Sequence, residues 1–143
     1  MLPFDTSKSF VKLTQNIQIF FKNFDPKLER DVFSLKFRIL LCILENKQIS
    51  PTRLVEILGI AKSNVAKFCK ELEDENKIFW QSDEFDRRGK YYSLTKSGEK
   101  YVYSCLTSLG KALANLGEKD LEKMIVAVGV INEILTSKGE ENA

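Results

Sequence analysis

Histidine is absent from this chain of 143 residues, and that absence excludes several kinds of chemistry at once. No imidazole is available as a general base, as half of a Cys–His or Ser–His pair, or as a metal ligand. The seven glycines are scattered, so the sequence also lacks a glycine-rich phosphate-binding loop. We therefore expect a protein that is not an enzyme and that uses neither a metal ion nor another cofactor.

Long apolar runs are lacking as well. No stretch approaches the roughly eighteen apolar residues of a membrane-spanning helix, and the first residues do not have the basic-then-apolar layout of a signal peptide. The net charge of +2 is too small to indicate a partner by itself. These features predict a cytoplasmic protein without a membrane partner.

Cysteine is scarce, and the three thiols, Cys42, Cys69 and Cys105, are far apart in the sequence. They form neither a CxxC metal motif nor an evident disulfide framework. Helical periodicity places each of them on a predicted helix, where core packing is favoured. A redox role stays open for each as the alternative.

Apolar residues recur at helical spacing through most of the chain. A first helix, predicted over residues 7–24, carries Phe10, Leu13 and Ile17 on one face, and Asp25-Pro26 is expected to end it. Ser34 is a good N-cap for a second helix.

The clearest local pattern lies between Ser50 and Asn76. Ser50 and Pro51 are typical of the first positions of a helix, and Gly59 is typical of its end. A new helix begins within about three residues, at Lys62, and Asn76 ends it. Two helices joined by a short turn that contains glycine form a helix-turn-helix.

A β-hairpin is predicted next. Residues 77–82 and 90–94 are β-prone and flank the polar segment 83–89. Thr95 can then cap a long helix, and Gly117 separates it from a last helix. The predicted fold is mostly α with a small β-hairpin wing.

Charge is unevenly distributed along the second helix of the helix-turn-helix. Its first ten residues hold three lysines and no acid, whereas its last turn holds four acids. This arrangement opposes the helix macrodipole, but positive charge at the N-terminal half suits a helix that enters the major groove of DNA. An ordinary solvated helix is the alternative interpretation. The polar residues of this first part include Lys62, Ser63, Asn64 and Lys67.

The hairpin tip carries two adjacent arginines, Arg87 and Arg88. Arginine on such a tip can enter a narrow minor groove, where the negative potential is strongest. Asp86 is placed to brace a guanidinium by a charge-assisted hydrogen bond, and Lys90 adds a positive charge at the start of the second strand. A solubilising turn is the alternative interpretation.

Residues 34–98 resemble the winged-helix core of the MarR family of transcriptional regulators. The resemblance implies a winged helix-turn-helix core flanked by N- and C-terminal dimerisation helices. It depends on Phe37-Arg-Ile-Leu40, Ser50-Pro-Thr-Arg-Leu54, Leu58-Gly-Ile-Ala-Lys-Ser-Asn-Val65, Leu72, Asp86-Arg-Arg88 and Ser93-Leu-Thr-Lys-Ser-Gly98.

The resemblance also implies roles for individual residues. The start of the second helix would contact the groove, Ser50 and Thr52 would contact the DNA backbone, and Arg88 would be the wing arginine. Ala61 and Ala66 depart from the family, which usually has a capping Ser or Thr and a polar residue at these positions. The predicted DNA-binding set is Ser50, Thr52, Lys62, Ser63, Asn64, Lys67, Arg87, Arg88 and Lys90, with Asp86 supporting the wing.

The last helix is apolar around most of its circumference, which favours burial against a second copy of the chain. The predicted regions are 1–32, an N-terminal helix of the dimerisation region; 33–98, the winged helix-turn-helix DNA-binding domain; and 99–143, the C-terminal dimerisation helices. The alternative is that this helix forms the centre of a monomeric core. The predicted dimerisation residues are Phe10, Leu13, Ile17, Leu121, Ile125, Val128, Ile131 and Leu135.

Together these features predict a transcriptional regulator that binds double-stranded DNA in a sequence-specific way. It would be a repressor that acts as a homodimer on a pseudo-palindromic operator. The resemblance implies that a small lipophilic or aromatic effector releases it from DNA. The alternative is a winged-helix protein-interaction module without specific DNA binding.

Overall fold

The computed structural model of the chain describes residues 4–82 and 89–142, with side chains up to residue 137. Within these residues lie seven helices and one two-stranded antiparallel sheet. The prediction of a mostly α chain with a small β-hairpin is confirmed. By its internal contacts the chain divides into two units, residues 1–107 and residues 108–143.

The elements follow the predicted order with one addition, the short helix α2. In chain order they are α1 (Phe4–Phe24), α2 (Pro26–Val32), α3 (Leu35–Asn46), α4 (Pro51–Leu58), α5 (Lys62–Asp74), β1 (Ile78–Ser82), β2 (Lys90–Leu94), α6 (Lys96–Ala114) and α7 (Glu118–Asn142).

Helix α2 is missing from the predicted order, in which Asp25-Pro26 only ends α1. Asp25 in fact caps α2, because its carboxylate accepts hydrogen bonds from the N–H groups of Lys27 (3.1 Å) and Leu28 (3.2 Å). Pro26 takes the first helical position, where its missing N–H costs nothing. The same combination of cap and proline predicts α4 correctly, so the sequence already contained the signal for α2.

Helix α3 lies at the centre of the unit formed by residues 1–107. It contacts α2, α4, α5 and β2, and Ile39 and Ile43 are fully buried on it. Burying a side chain of this size stabilises the fold by about 1.5–3 kcal/mol. The helix-turn-helix is thereby fixed to α3 through its own buried residues, which include Leu54, Val65, Cys69 and Leu72.

The hairpin is anchored to the start of α4. Its register runs from Ile78 opposite Leu94 to Ser82 opposite Lys90. Ile49 joins β2 through an isolated β-bridge, since it exchanges two backbone hydrogen bonds with Tyr92, of 3.0 and 2.8 Å. Backbone hydrogen bonds therefore connect the hairpin to the segment that leads into the helix-turn-helix.

The end of α5 and the start of α6 meet at one junction. Asn76 ends α5 with a positive φ of 59°. The Thr95 hydroxyl donates to the Asn76 carbonyl (2.7 Å) and accepts from the N–H of Gly98 (2.9 Å), so it caps α6. A Cβ on Gly98 would overlap the carbonyl oxygen of Lys77. Glycine is therefore required where the first turn of α6 packs against Lys77, the residue before β1.

Candidate nucleic-acid interface

Helix α4 begins at a side-chain cap and ends at a left-handed glycine. The Ser50 hydroxyl accepts a hydrogen bond from the N–H of Arg53 (3.1 Å), and Gly59 has a φ of 62°. Because the Ser50 oxygen acts as an acceptor in this bond, its hydroxyl hydrogen can still donate to a phosphate. Thr52 is exposed in the first turn. Both predicted backbone-contacting residues thus lie at the N-terminal end of α4.

Helix α5 has one buried face and one exposed face. Val65, Cys69 and Leu72 are buried at helical spacing. Every residue predicted to contact the groove is exposed at the N-terminal end of this helix, and Lys70 follows them. The structure brings together Lys62, Ser63, Asn64 and Lys67.

The exposed lysines of α5 surround a helix end that can accept an anion. Ala61 provides no side-chain cap, so the first N–H groups of the helix are left for an external acceptor. Lys62, Lys67 and Lys70 form no ion pair with any residue that the structure describes. The macrodipole and the Lys62 ammonium group therefore have the same sign at the N-terminal end of the helix, and Lys67 and Lys70 continue the positive charge along its exposed face.

The acidic end of α5 is neutralised by neighbouring lysines. The Lys36 Nζ lies 3.6 Å from a Glu71 carboxylate oxygen and 2.5 Å from one of Glu75, and the Lys77 Nζ lies 3.2 Å from Glu75. Burial acts to raise the pKa of Glu75, but hydrogen bonds from Lys36 and Lys77 lower it overall. The acids of α5 thus have a structural role that its sequence alone does not indicate.

Replacing Glu75 by glutamine is expected to make folding less sensitive to acid. Because the folded pKa lies below the ordinary value of 4.5, the ion pairs stabilise the folded chain above that pH. Their contribution is lost as the pH falls through the folded pKa. Urea unfolding should show Glu75→Gln less stable by at most about 1 kcal/mol at neutral pH, since solvent screens these pairs. A difference that does not shrink as the pH falls further below 4.5 would contradict this.

The three cysteine thiols are buried. Burial raises the pKa of Cys69 to about 12 and also raises the pKa of Cys42 and of Cys105. Because the thiolate is the reactive form, we expect a thiol-specific disulfide reagent to label all three slowly in the native protein and rapidly after unfolding. Native labelling at the rate of free cysteine at any one position would show an accessible, activated thiol there.

Residues of three different elements line a single cavity. It has a volume of about 320 Å³ and lies between α4, α5 and β2. Three of the predicted DNA-binding residues, Thr52, Lys62 and Lys90, take part in its lining. The remaining lining is largely apolar and consists of Pro51, Val55, Val65, Ala66, Cys69 and Tyr92.

The other predicted wing residues, Asp86, Arg87 and Arg88, lie outside the described residues. Trp80 and Tyr92, which flank Lys90, are absent from the predicted site. They lie opposite each other in the hairpin register. Alternation along the two strands places both on the same face as Lys90, and this is the signal that could have identified them.

Family and sequence comparisons identify the type of domain that the chain contains. Residues 34–78 match the family model for winged helix-turn-helix DNA-binding domains. The transcriptional repressor MprA of Escherichia coli K12 is 29% identical over an alignment of 87 residues, and this alignment covers 56% of this chain. The match covers 49% of MprA, so the chain spans about half the length of this curated relative.

Solved structures share the fold over nearly the whole chain. Wild-type MarR of E. coli in its apo form matches with a TM-score of 0.69 at 16% identity, covering 92% of this chain and 97% of that chain. A cysteine-to-serine variant of E. coli MarR complexed with operator DNA matches with a TM-score of 0.57 at 17% identity, covering 86% and 95%.

The fold and the matched domain define the chain as a winged helix-turn-helix protein. The chain resembles the MarR family in its winged helix-turn-helix domain and in its fold, as the sequence predicted. Among the described helices, none combines the length and the apolar character needed to span a bilayer.

Proposed function

We propose that the chain is a sequence-specific repressor that binds double-stranded DNA as a homodimer. The observation that supports this most directly is the exposed N-terminal end of α5. There Lys62 and Lys67 lie beside Ser63 and Asn64, and neither lysine has an acidic partner among the described residues. Cations with short polar side chains on one exposed helix face suit both phosphates and base edges.

In the proposed complex, α5 enters the major groove by its N-terminal half. Asn64 can pair bidentately with adenine, and the lysines bind the flanking phosphates. Ser50 and Thr52 donate to the DNA backbone from α4, and Lys90 adds a phosphate contact from β2. Arg87 and Arg88, braced by Asp86, would enter the adjacent minor groove.

The dimer is proposed because large apolar side chains lie exposed on the terminal helices of a single chain. On α7, Ile125 is 63% exposed and Leu135 is 60% exposed, and on α1, Phe10 is 47% exposed. Leaving such surface in water forgoes about 25 cal/mol for each Å² that a partner would cover. A second copy would cover it and present two α5 helices about 34–36 Å apart, one turn of DNA. The other proposed contacts are Leu13, Ile17, Leu121, Val128 and Ile131.

An Ile125→Glu variant is expected to sediment as a monomer at concentrations at which the wild type is a dimer. The side chain is exposed in the single chain, so a carboxylate there costs the monomer little, whereas burying it unpaired in an interface is costly. Lys123→Glu, on the opposite side of α7, is the control and should remain dimeric. Sedimentation equilibrium of all three proteins measures this. A dimeric Ile125→Glu variant would remove α7 from the proposed interface.

Release from DNA by a small lipophilic or aromatic effector is part of the proposal, by resemblance to the family. The cavity beside α5 supports it, because about 320 Å³ lies within the range of small-molecule sites. Lys62 and Lys90 line that cavity and are also proposed phosphate ligands, so an occupant would compete with DNA.

The proposal is tested by fluorescence anisotropy on a DNA fragment from upstream of the protein's own gene, at several salt concentrations. We expect saturable binding with two chains per site, falling with salt in proportion to the phosphate contacts. It should exceed binding to random DNA by about a thousandfold or more. Equal, weak binding to both DNAs would instead favour the protein-interaction module.

A further inference from the structure

Trp80, the only tryptophan of the chain, lies half exposed on the hairpin. It is 51% exposed, although a buried indole contributes more to stability than almost any other side chain. Its strand β1 pairs only with β2 among the described strands. Packing in the core therefore does not account for this ring.

The ring of Trp80 instead contacts a cation. The Lys90 Nζ lies 5.0 Å from the centroid of the Trp80 ring and 5.2 Å from that of Tyr92. Both distances are within the range of attractive cation–π contacts, which extends to about 6 Å. Because Trp80 and Tyr92 face each other across the hairpin, the ammonium group has an aromatic ring on each strand.

The two rings differ in how they are held. Tyr92 is buried and bonded through its backbone to Ile49. Burial raises its pKa, against a hydrogen bond from Lys90 that lowers it. Tyr92 thus belongs to the core and fixes one side of the lysine, whereas Trp80 covers the other side from the solvent-exposed strand.

The position of Lys90 connects this pair to the proposed DNA-binding surface. Lys90 lines the same cavity as Thr52 and Lys62, from the N-terminal ends of α4 and α5. A free lysine side chain loses considerable rotamer freedom when it binds a phosphate. A lysine already held between two rings loses less, so its contact is stronger for the same charge.

We propose that Trp80 is a positioning residue for DNA binding, whose ring holds the Lys90 ammonium beside the N-terminal end of α5 for a phosphate contact. This inference rests on the proposed function, since it assumes that Lys90 binds DNA. Trp80 acts through Lys90 and not by stacking on the nucleic acid itself.

A double-mutant cycle on the full-length protein tests this role. Trp80→Leu is expected to weaken operator binding about two- to fivefold, the equivalent of an exposed cation–π contact. Trp80→Phe, which keeps a ring, should restore most of the affinity. Lys90→Met should weaken binding and reduce the slope of log affinity against log salt by about 0.9. Adding Trp80→Leu to Lys90→Met should have little further effect, because the lysine is already gone.

The salt slope distinguishes positioning from a structural role. Trp80→Leu should lower the slope towards that of Lys90→Met, whereas a variant that only destabilises the fold leaves the slope unchanged. If Trp80→Leu weakens binding equally with and without Lys90, the inference is overturned, and the ring acts directly on DNA or on the fold. Circular dichroism melting of each variant shows whether it is folded at the assay temperature.

The pair itself is tested without DNA. Because Trp80 is the only tryptophan, Lys90→Met should alter its emission in the free protein, and Lys96→Met, on α6, should not. Unchanged emission in Lys90→Met would overturn the contact. A wild-type protein that binds no DNA would overturn the proposed function and this role with it. Operator binding unaffected by Trp80→Leu would overturn the inference alone.

Discussion

A Gly98→Ala variant is expected to lose about 3 kcal/mol or more of folding free energy, at the upper end of the cost of overpacking. The added Cβ would overlap the carbonyl oxygen of Lys77 and lie 2.9 Å from its carbonyl carbon. That oxygen belongs to the backbone and accepts the N–H of Thr95 at 3.0 Å. Neither partner can move aside without breaking the junction between α5, β1 and α6.

Gly110→Ala is the matched control, because it adds the same methyl group to the same helix. A Cβ at Gly110 meets nothing within 4 Å, so helix propensity should stabilise this variant by up to about 1 kcal/mol. Thermal and urea unfolding should show the two variants moving in opposite directions, with a melting temperature about 10 °C or more lower for Gly98→Ala. A Gly98→Ala protein as stable as the wild type would contradict the close packing of α6 against the carbonyl group of Lys77.

The boundaries of the helix-turn-helix were predictable because they depend on local interactions. Ser34, Ser50 and Thr95 each accept a hydrogen bond from a backbone N–H in the first turn of the following helix. Gly59 and Asn76 end their helices at positive φ. Capping groups and left-handed residues act within about four positions of the chain, so a single sequence is enough to identify them.

The features that depend on contacts between distant residues could not be predicted. The sequence shows that the end of α5 is acidic, but it does not show which cation lies beside these acids. In the structure, Lys36 of α3 forms ion pairs with Glu71 and Glu75. Gly98 belongs to the sequence motif that resembles the MarR family. Glycine is needed at this position because a Cβ would overlap the carbonyl oxygen of Lys77, a residue 21 positions earlier in the chain.

The candidate site also has one part that local sequence patterns predict and one part that depends on contacts between distant residues. Helical periodicity predicts which face of α5 is exposed, because Val65, Cys69 and Leu72 recur at the spacing of a buried stripe. Periodicity does not predict that Lys90 of β2 lies at the same cavity as Lys62, since that meeting depends on how the hairpin packs against α4 and α5. The roles of the individual residues in DNA binding stay predictions.

Replacing both Lys62 and Lys67 by alanine is expected to weaken operator binding about a hundredfold, with little change in stability. Both side chains are exposed and have no acidic partner among the described residues, so their removal leaves no buried group unsatisfied. If each binds one phosphate, the slope of log affinity against log salt falls by about 1.8. Anisotropy titrations at four or more salt concentrations would measure both quantities.

Two comparisons make this result specific to the N-terminal end of α5. Lys12→Ala with Lys22→Ala removes the same charge from exposed positions of α1, so a purely global electrostatic effect would weaken binding equally in both double variants. Asn64→Ala removes no charge and should leave the salt slope unchanged while reducing discrimination against a mutated operator by about 1–3 kcal/mol. An α5 double variant that behaves like the α1 control would mean that α5 does not face DNA. A salt slope reduced by about 1.8 in the α5 variant alone would assign one phosphate contact each to Lys62 and Lys67.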